Sequence, residues 1–170
     1  MPEGFAPIAG QDASILLLGT MPSVASLEKM EYYGHPRNAF WTLLYGLWGR
    51  VPEREYDKRT AFVQEKKIAL WDVLRCCERK GSADASIRRE EANDFAAFAR
   101  EYPEIRCIFF NSSGAALFYQ RLVRPDPFAG LPQTVLPSSS PARAMRFEDK
   151  LALWRPVREA WESLCGPAKL

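Results

Sequence analysis

Apolar residues follow two rhythms along this chain. Ser14 to Leu18, Ile68 to Leu74 and Ile105 to Phe110 are short apolar runs with little polar alternation. That is the pattern of strands covered on both faces in a parallel sheet. Thr134 to Leu136 reads as a short fourth strand. Between these runs the apolar positions recur every three or four residues. Trp41, Leu44, Tyr45, Leu47 and Trp48 predict a helix that opens at Asn38 and stops at Gly49; Phe95, Phe98, Ala99 and Tyr102 predict one from Asn93 to Tyr102, stopped by Pro103. Further helices are predicted over residues 55 to 66, Ala115 to Val123 and Phe147 to Leu164, the last bent at Pro156. Strands alternating with helices predict an α/β fold: a doubly wound, mainly parallel four-stranded sheet with helices on both faces. Residues 1–13 read as an irregular lead-in laid over the domain through Phe5 and Ile8, and Glu78 to Ser86 as a polar crossing loop.

Composition narrows the class without deciding the partner. The 170 residues are read as one domain, long enough to bury a core of two or three layers. A net charge of +2 creates no global field, so a site for a polyanion has to come from local clustering. The beginning of the chain lacks a basic segment, and the run from Ile15 to Gly19 is too short to cross a bilayer, which gives the expectation of a cytoplasmic protein without a membrane anchor. Cys76, Cys77, Cys107 and Cys165 match no zinc template and are read as reduced thiols, with no metal and no cofactor expected.

Chemistry concentrates in two places. Tyr32-Tyr33-Gly34-His35-Pro36-Arg37-Asn38-Ala39-Phe40-Trp41 packs the chain's single histidine, an asparagine and several aromatic rings into one irregular segment, a mixture that core filling does not require. It follows Gly19-Thr20-Met21-Pro22-Ser23, which lies just beyond the first predicted strand. Asn111 stands at the corresponding end of the third, and open α/β sheets bind ligands outside the carboxyl ends of their strands, so the two segments are expected to face one cleft. Each of these residues also has a structural reading. Asn38 suits a helix N-cap, Asn111 a turn, and Tyr33 packing within its loop; the basic loop around Arg75, Arg79, Lys80, Arg88 and Arg89 suits either solvent or phosphate.

Taken with Leu136-Pro137-Ser138-Ser139-Ser140-Pro141-Ala142, these segments resemble the motifs of the uracil-DNA glycosylase superfamily, in the same order, and most closely its hypoxanthine-DNA glycosylase branch. The resemblance implies hydrolysis of the N-glycosidic bond of a deaminated base, hypoxanthine or uracil, in DNA, after the nucleotide has been turned out of the stack. It assigns Tyr33 to stacking on the base and Asn111 to reading its edge. Gly19 and Met21 join them around the base, and His35 either donates to the departing base or ties the loop. Ser138, Ser139, Ser140 and Arg143 take the loop that enters the duplex and holds a phosphate. In most of the superfamily a carboxylate or amide two residues after the first motif's glycine handles the water; here that position is Met21, and in the hypoxanthine branch the role passes to Asn38. The branch often has Asn where this chain has Arg143.

DNA containing deaminated bases is thus the expected partner, met by a monomer. Two other functions fit the same residues: a catalytically silent relative that only binds damaged DNA, which Met21 allows, and a hydrolase of free nucleosides, against which the Ser-Ser-Ser-Pro segment argues. The sequence does not rank hypoxanthine over uracil, since both offer a carbonyl beside a ring N–H.

Overall fold

A computed structural model describes residues 1–166. Its centre is a four-stranded sheet made of β1 (Ile15–Gly19), β2 (Ile68–Asp72), β5 (Cys107–Phe110) and β6 (Gln133–Val135), in the order β2-β1-β5-β6 with every pairing parallel. The expected α/β sheet is present. Because side chains alternate across a strand, Leu16, Leu18, Ile108 and Phe110 point into one core and Ile15, Leu17, Cys107 and Phe109 into another.

The first core is roofed by α4 (Phe95–Glu101) and α5 (Ser113–Leu122), through Phe95, Phe98 and Tyr119. The second is roofed by α2 (Phe40–Gly46), α3 (Tyr56–Glu65) and α6 (Phe147–Cys165), through Phe40, Leu43, Phe62 and Trp154. Burial on both sides explains why β1, β2 and β5 are apolar throughout. The lead-in runs antiparallel to β2: Ile8 and Leu70 exchange backbone hydrogen bonds of 2.9 and 2.8 Å, and Trp71 Nε1 donates to the Phe5 carbonyl. An otherwise open sheet edge is thereby covered.

Four local expectations change. The run from Ile68 to Leu74 is two strands, because the chain turns at Val73 and β3 (Leu74–Glu78) leaves the sheet. The polar segment after it is the tip of an antiparallel ribbon, in which β3 pairs with β4 (Arg88–Ala92). Leu74, Cys76 and Cys77 of β3 are buried, whereas β4 exposes most of its charged residues and pairs with β3 through ion pairs such as Arg89–Glu78, so no apolar alternation marks β4. A short α1 (Val24–Lys29), capped by Ser23, fills the space between the two site segments. Finally, α2 begins at Phe40 rather than Asn38.

Candidate active site

At the carboxyl ends of β1, β2 and β5 lies a cleft of about 860 Å³. Gly19, Met21, Tyr33, His35, Asn38, Asn111, Ser138, Ser139, Ser140 and Arg143, from four separate regions of sequence, all line it. Sequence reasoning missed Asp72 and Asp84, which line it too.

Asn38 sits one residue before the cap of α2. Its Oδ1 accepts a 3.0 Å hydrogen bond from Phe40 N, while its own backbone N–H donates to the His35 carbonyl. This is an Asx-type turn, which holds the side chain by one oxygen lone pair. The second lone pair and both amide hydrogens are unused by that turn. His35 Nδ1 accepts from Arg37 N at 3.1 Å, so the neutral ring carries its proton on Nε2.

Tyr33 has a left-handed backbone, φ 54°, a conformation that costs a non-glycine residue about 1 kcal/mol or more. The surroundings hold it there. Ser26 Oγ accepts from Gly34 N, Lys29 Nζ donates to the Gly34 carbonyl, and the Tyr33 ring stacks on Phe40 at 3.9 Å with 14° between planes. The Tyr33 hydroxyl reaches the cleft floor beside Gly19, buried and without a hydrogen-bond partner among the described residues. Burial, together with the Asp72 charge, pushes the phenol above its ordinary value, and the Asn111 amide partly offsets this.

Asn111 is 6% exposed, and its carboxamide forms a two-point clamp: Nδ2 donates to Ser139 Oγ at 2.8 Å and Oδ1 accepts from Ser139 N at 2.9 Å. One N–H and one lone pair remain for a ligand. The clamp joins the end of β5 to the loop after β6, and the Ser139 carbonyl accepts from Ala39 N, tying in the first segment as well. Asn111→Ala is expected to cost about 1 to 3 kcal/mol by stranding buried Ser139 groups, and to expose the Ser139 amide to hydrogen exchange. Undiminished protection of that amide would mean the loop is held by other contacts.

The loop from Pro137 to Arg143 is fastened from α6. Trp154 Nε1 donates to the Pro137 carbonyl at 2.8 Å and buried Lys150 donates to the Arg143 carbonyl at 2.8 Å. Ser138 Oγ and Ser140 Oγ accept from the backbone N–H groups of Ser140 and Ala142, leaving their O–H groups to donate outward. Exposed Arg143 adds positive charge there. Met21, 8% exposed, packs in the core beneath β1 while lining the cleft. Across the cleft, Arg79 donates to the Pro22 and Gly81 carbonyls, and Ser82 Oγ accepts from Val24 N. Arg75 and Arg89 are paired with glutamates, so much of the basic ribbon is occupied with holding itself.

Among the described residues no cluster of metal-binding side chains and no helix long and apolar enough to cross a membrane is present. All four cysteines are free thiols.

Known proteins match this arrangement over nearly its full length. The family model of the uracil DNA glycosylase superfamily matches residues 7–165. A hypoxanthine DNA glycosylase of Methanosarcina acetivorans is 35% identical over 156 residues, covering 91% of this chain and 96% of the relative. One of Methanosarcina barkeri is 32% identical over 153 residues, covering 89% and 94%. The solution structure of a candidate uracil DNA glycosylase from Methanosarcina acetivorans superposes with a TM-score of 0.80 at 35% identity, covering 94% of this chain and 98% of that one. The chain belongs to the uracil DNA glycosylase superfamily and is a DNA glycosylase.

Proposed function

We propose that this glycosylase removes deaminated bases, hypoxanthine and uracil, from DNA by simple hydrolysis, with a water molecule oriented by Asn38. The observation that carries the reading is the convergence of Tyr33, Asn38, Asn111 and the Pro137–Arg143 loop on one cleft. The duplex meets the hydroxyls of Ser138 and Ser140 together with Arg143, which bind a phosphate while the loop presses on the stack; Ser139, expected among these contacts, is 1% exposed and spent on Asn111 and Ala39, so it anchors the loop from inside and does not touch DNA. The target nucleotide turns into the cleft and its base lies against the face of Tyr33 that Phe40 leaves free, the two rings forming a stacked support.

Bond cleavage then depends on charge stabilisation and on one placed nucleophile. An amide oxygen is too weak a base to deprotonate water early, so the C–N bond stretches first and the sugar acquires oxocarbenium character. Asn38 accepts a hydrogen bond from the water and presents it to the anomeric carbon as that charge develops. The Nε2–H of His35 is a donor for negative charge gathering on the departing base. No lysine lines the cleft among the described residues, so no amine stands ready to form a Schiff base with the sugar, which supports a monofunctional reaction. Nothing in these steps calls on a cofactor.

The decisive experiment is an excision panel. Duplexes carrying deoxyinosine, deoxyuridine or deoxyxanthosine opposite each normal base are incubated with the protein and treated with alkali. Strand breakage at the inosine and uridine sites is the expected result. Retained binding with no breakage at any deaminated base would leave a silent damage-binding relative instead. A companion test is Asn111→Ala, expected to slow excision to different extents for the two bases, because losing one partner strands the other in a dry pocket.

A further inference from the structure

A second depression, of about 630 Å³, lies between β4 and α5 and adjoins the cleft at Asp84 and Gly114, which line both. One face of α5 forms its apolar wall. Leu117 and Phe118 stand four and three residues before Arg121, the spacing that puts them beside it on the helix surface, and Leu117 is 65% exposed. The helix already packs on the core through Ala115, Ala116 and Tyr119, so packing makes no demand on this face. Arg121 is held from two directions, by an ion pair with Glu90 of β4 and by the Phe118 ring, whose centroid lies 5.1 Å from the guanidinium. A planar guanidinium with one side on a ring presents its other side as a flat surface. Two more arginines complete the lining. Arg88 Nη1 donates to the Ala85 and Ile87 carbonyls and Arg124 Nε to the Gln120 carbonyl, so neither charge meets a carboxylate among the described residues. Since Arg121 and Glu90 offset each other, the depression keeps a positive surplus on Arg88 and Arg124. The opposing group is Asp84 at the border with the cleft, its Oδ2 3.9 Å from where a Cβ on Gly114 would stand. An anion is thereby kept off the border and drawn to the two arginines.

We propose, building on the glycosylase reading above, that this depression is a second nucleotide subsite, which takes an unpaired nucleotide flanking the lesion on the same strand. The flanking base lies against Leu117 and the open side of Arg121, and its phosphate meets Arg88 and Arg124. Continuity assigns the occupant: a strand whose lesion nucleotide sits in the cleft has the depression directly across the Asp84–Gly114 border. A volume of about 630 Å³ accommodates a nucleotide. A base held there has left its own partner, so the subsite is filled by single-stranded DNA or an open bubble and stays empty on a fully paired duplex. Because an aliphatic side chain and a guanidinium plane stack on any base, the subsite favours unpaired flanks without favouring a sequence.

The test uses a single-stranded oligonucleotide carrying one deoxyinosine, in which an alkali-stable abasic spacer replaces each flanking nucleotide in turn and so removes the base while keeping the phosphate. Single-turnover excision is measured with enzyme in excess over DNA but below saturation, for wild type and for Leu117→Ser, whose exposed position and melting curve establish that it is folded. A spacer on one side of the lesion is expected to slow the wild type by about fivefold or more. Leu117→Ser is expected to lose a similar factor on the intact strand and to lose little more when the same spacer is present, because both changes remove one contact. On a fully paired duplex its loss is expected to stay below about twofold, a contrast that damage to the fold would not produce. The proposal is overturned if no spacer slows the wild type, if Leu117→Ser matches wild type on the intact strand, if the two losses multiply, or if the variant is slowed equally on single strand and duplex. Excision from duplex with none from single strands overturns it too, and each of these outcomes leaves the glycosylase reading standing. A wild type that excises no deaminated base from any DNA sinks that reading and this proposal with it.

Discussion

Asn38→Ala is expected to lower single-turnover excision by about a hundredfold or more, with DNA affinity changed by less than about threefold. The asymmetry follows from where the residue acts. Its side chain is hydrogen-bonded to the backbone of Phe40, and in the proposed mechanism it holds a water whose contribution appears only as the glycosidic bond opens. Loss of the 3.0 Å bond to Phe40 N frays the start of α2 and costs about 1 kcal/mol, so a melting temperature lower by a few degrees is part of the expected result. Asn38→Asp separates the two roles, because a carboxylate still accepts from Phe40 N and is a better base towards water. A folded Asn38→Ala protein that excises at near the wild-type rate would reduce Asn38 to the turn it makes.

Gly19→Ala is expected to lose at least about a hundredfold in excision while remaining folded. A Cβ there would stand 2.5 Å from Asp72 Oδ1 and 2.8 Å from the Tyr33 hydroxyl, closer than carbon and oxygen approach without a bond. Both obstacles are side-chain ends rather than backbone, so the sheet yields at about 1 to 3 kcal/mol and the displacement falls on the cleft floor. Tyr33 is also stacked on Phe40 and held in a left-handed conformation, so it has little freedom to step aside without tilting the support for the base. Melting curves and single-turnover rates measured together decide the matter. A folded Gly19→Ala enzyme with wild-type rates would show that the Tyr33 and Asp72 ends lie outside the path of the base.

The sheet is legible in the sequence because strands covered on both faces leave an unambiguous trace: Leu16 and Leu18 serve one core while Ile15 and Leu17 serve the other, so no polar residue is tolerated between them. The β3–β4 ribbon is not, because Arg88-Arg89-Glu90-Glu91 of β4 is held by backbone pairing and cross-strand charge, while the buried Leu74, Cys76 and Cys77 of β3 read as a continuation of the apolar run of β2. The cleft's membership can be read from strand-end position and motif order. The partners cannot. Nothing near Asn111 in sequence announces that Ser139, 28 residues on, occupies half of its carboxamide. In sequence Asp72 is only a polar interruption in an apolar run. Its burial is imposed by residues distant in sequence, with Tyr33 and the β3–β4 tip closing over it, and a carboxylate ending an otherwise apolar strand is the one hint that the position is special.

The Ser139 tie has a consequence for how lesions are sorted. One residue binds the floor of the cleft, the start of α2 and the loop after β6, so the receiving pocket is braced across three segments before DNA arrives. With base flipping as proposed, the work of opening the base pair falls on the DNA, and the order in which a given lesion is excised opposite A, C, G and T is expected to follow the strength of the pair being broken, weakest first. An enzyme braced in this way is expected to sort sites first by how readily a base leaves its partner and only then by the chemistry of the pocket.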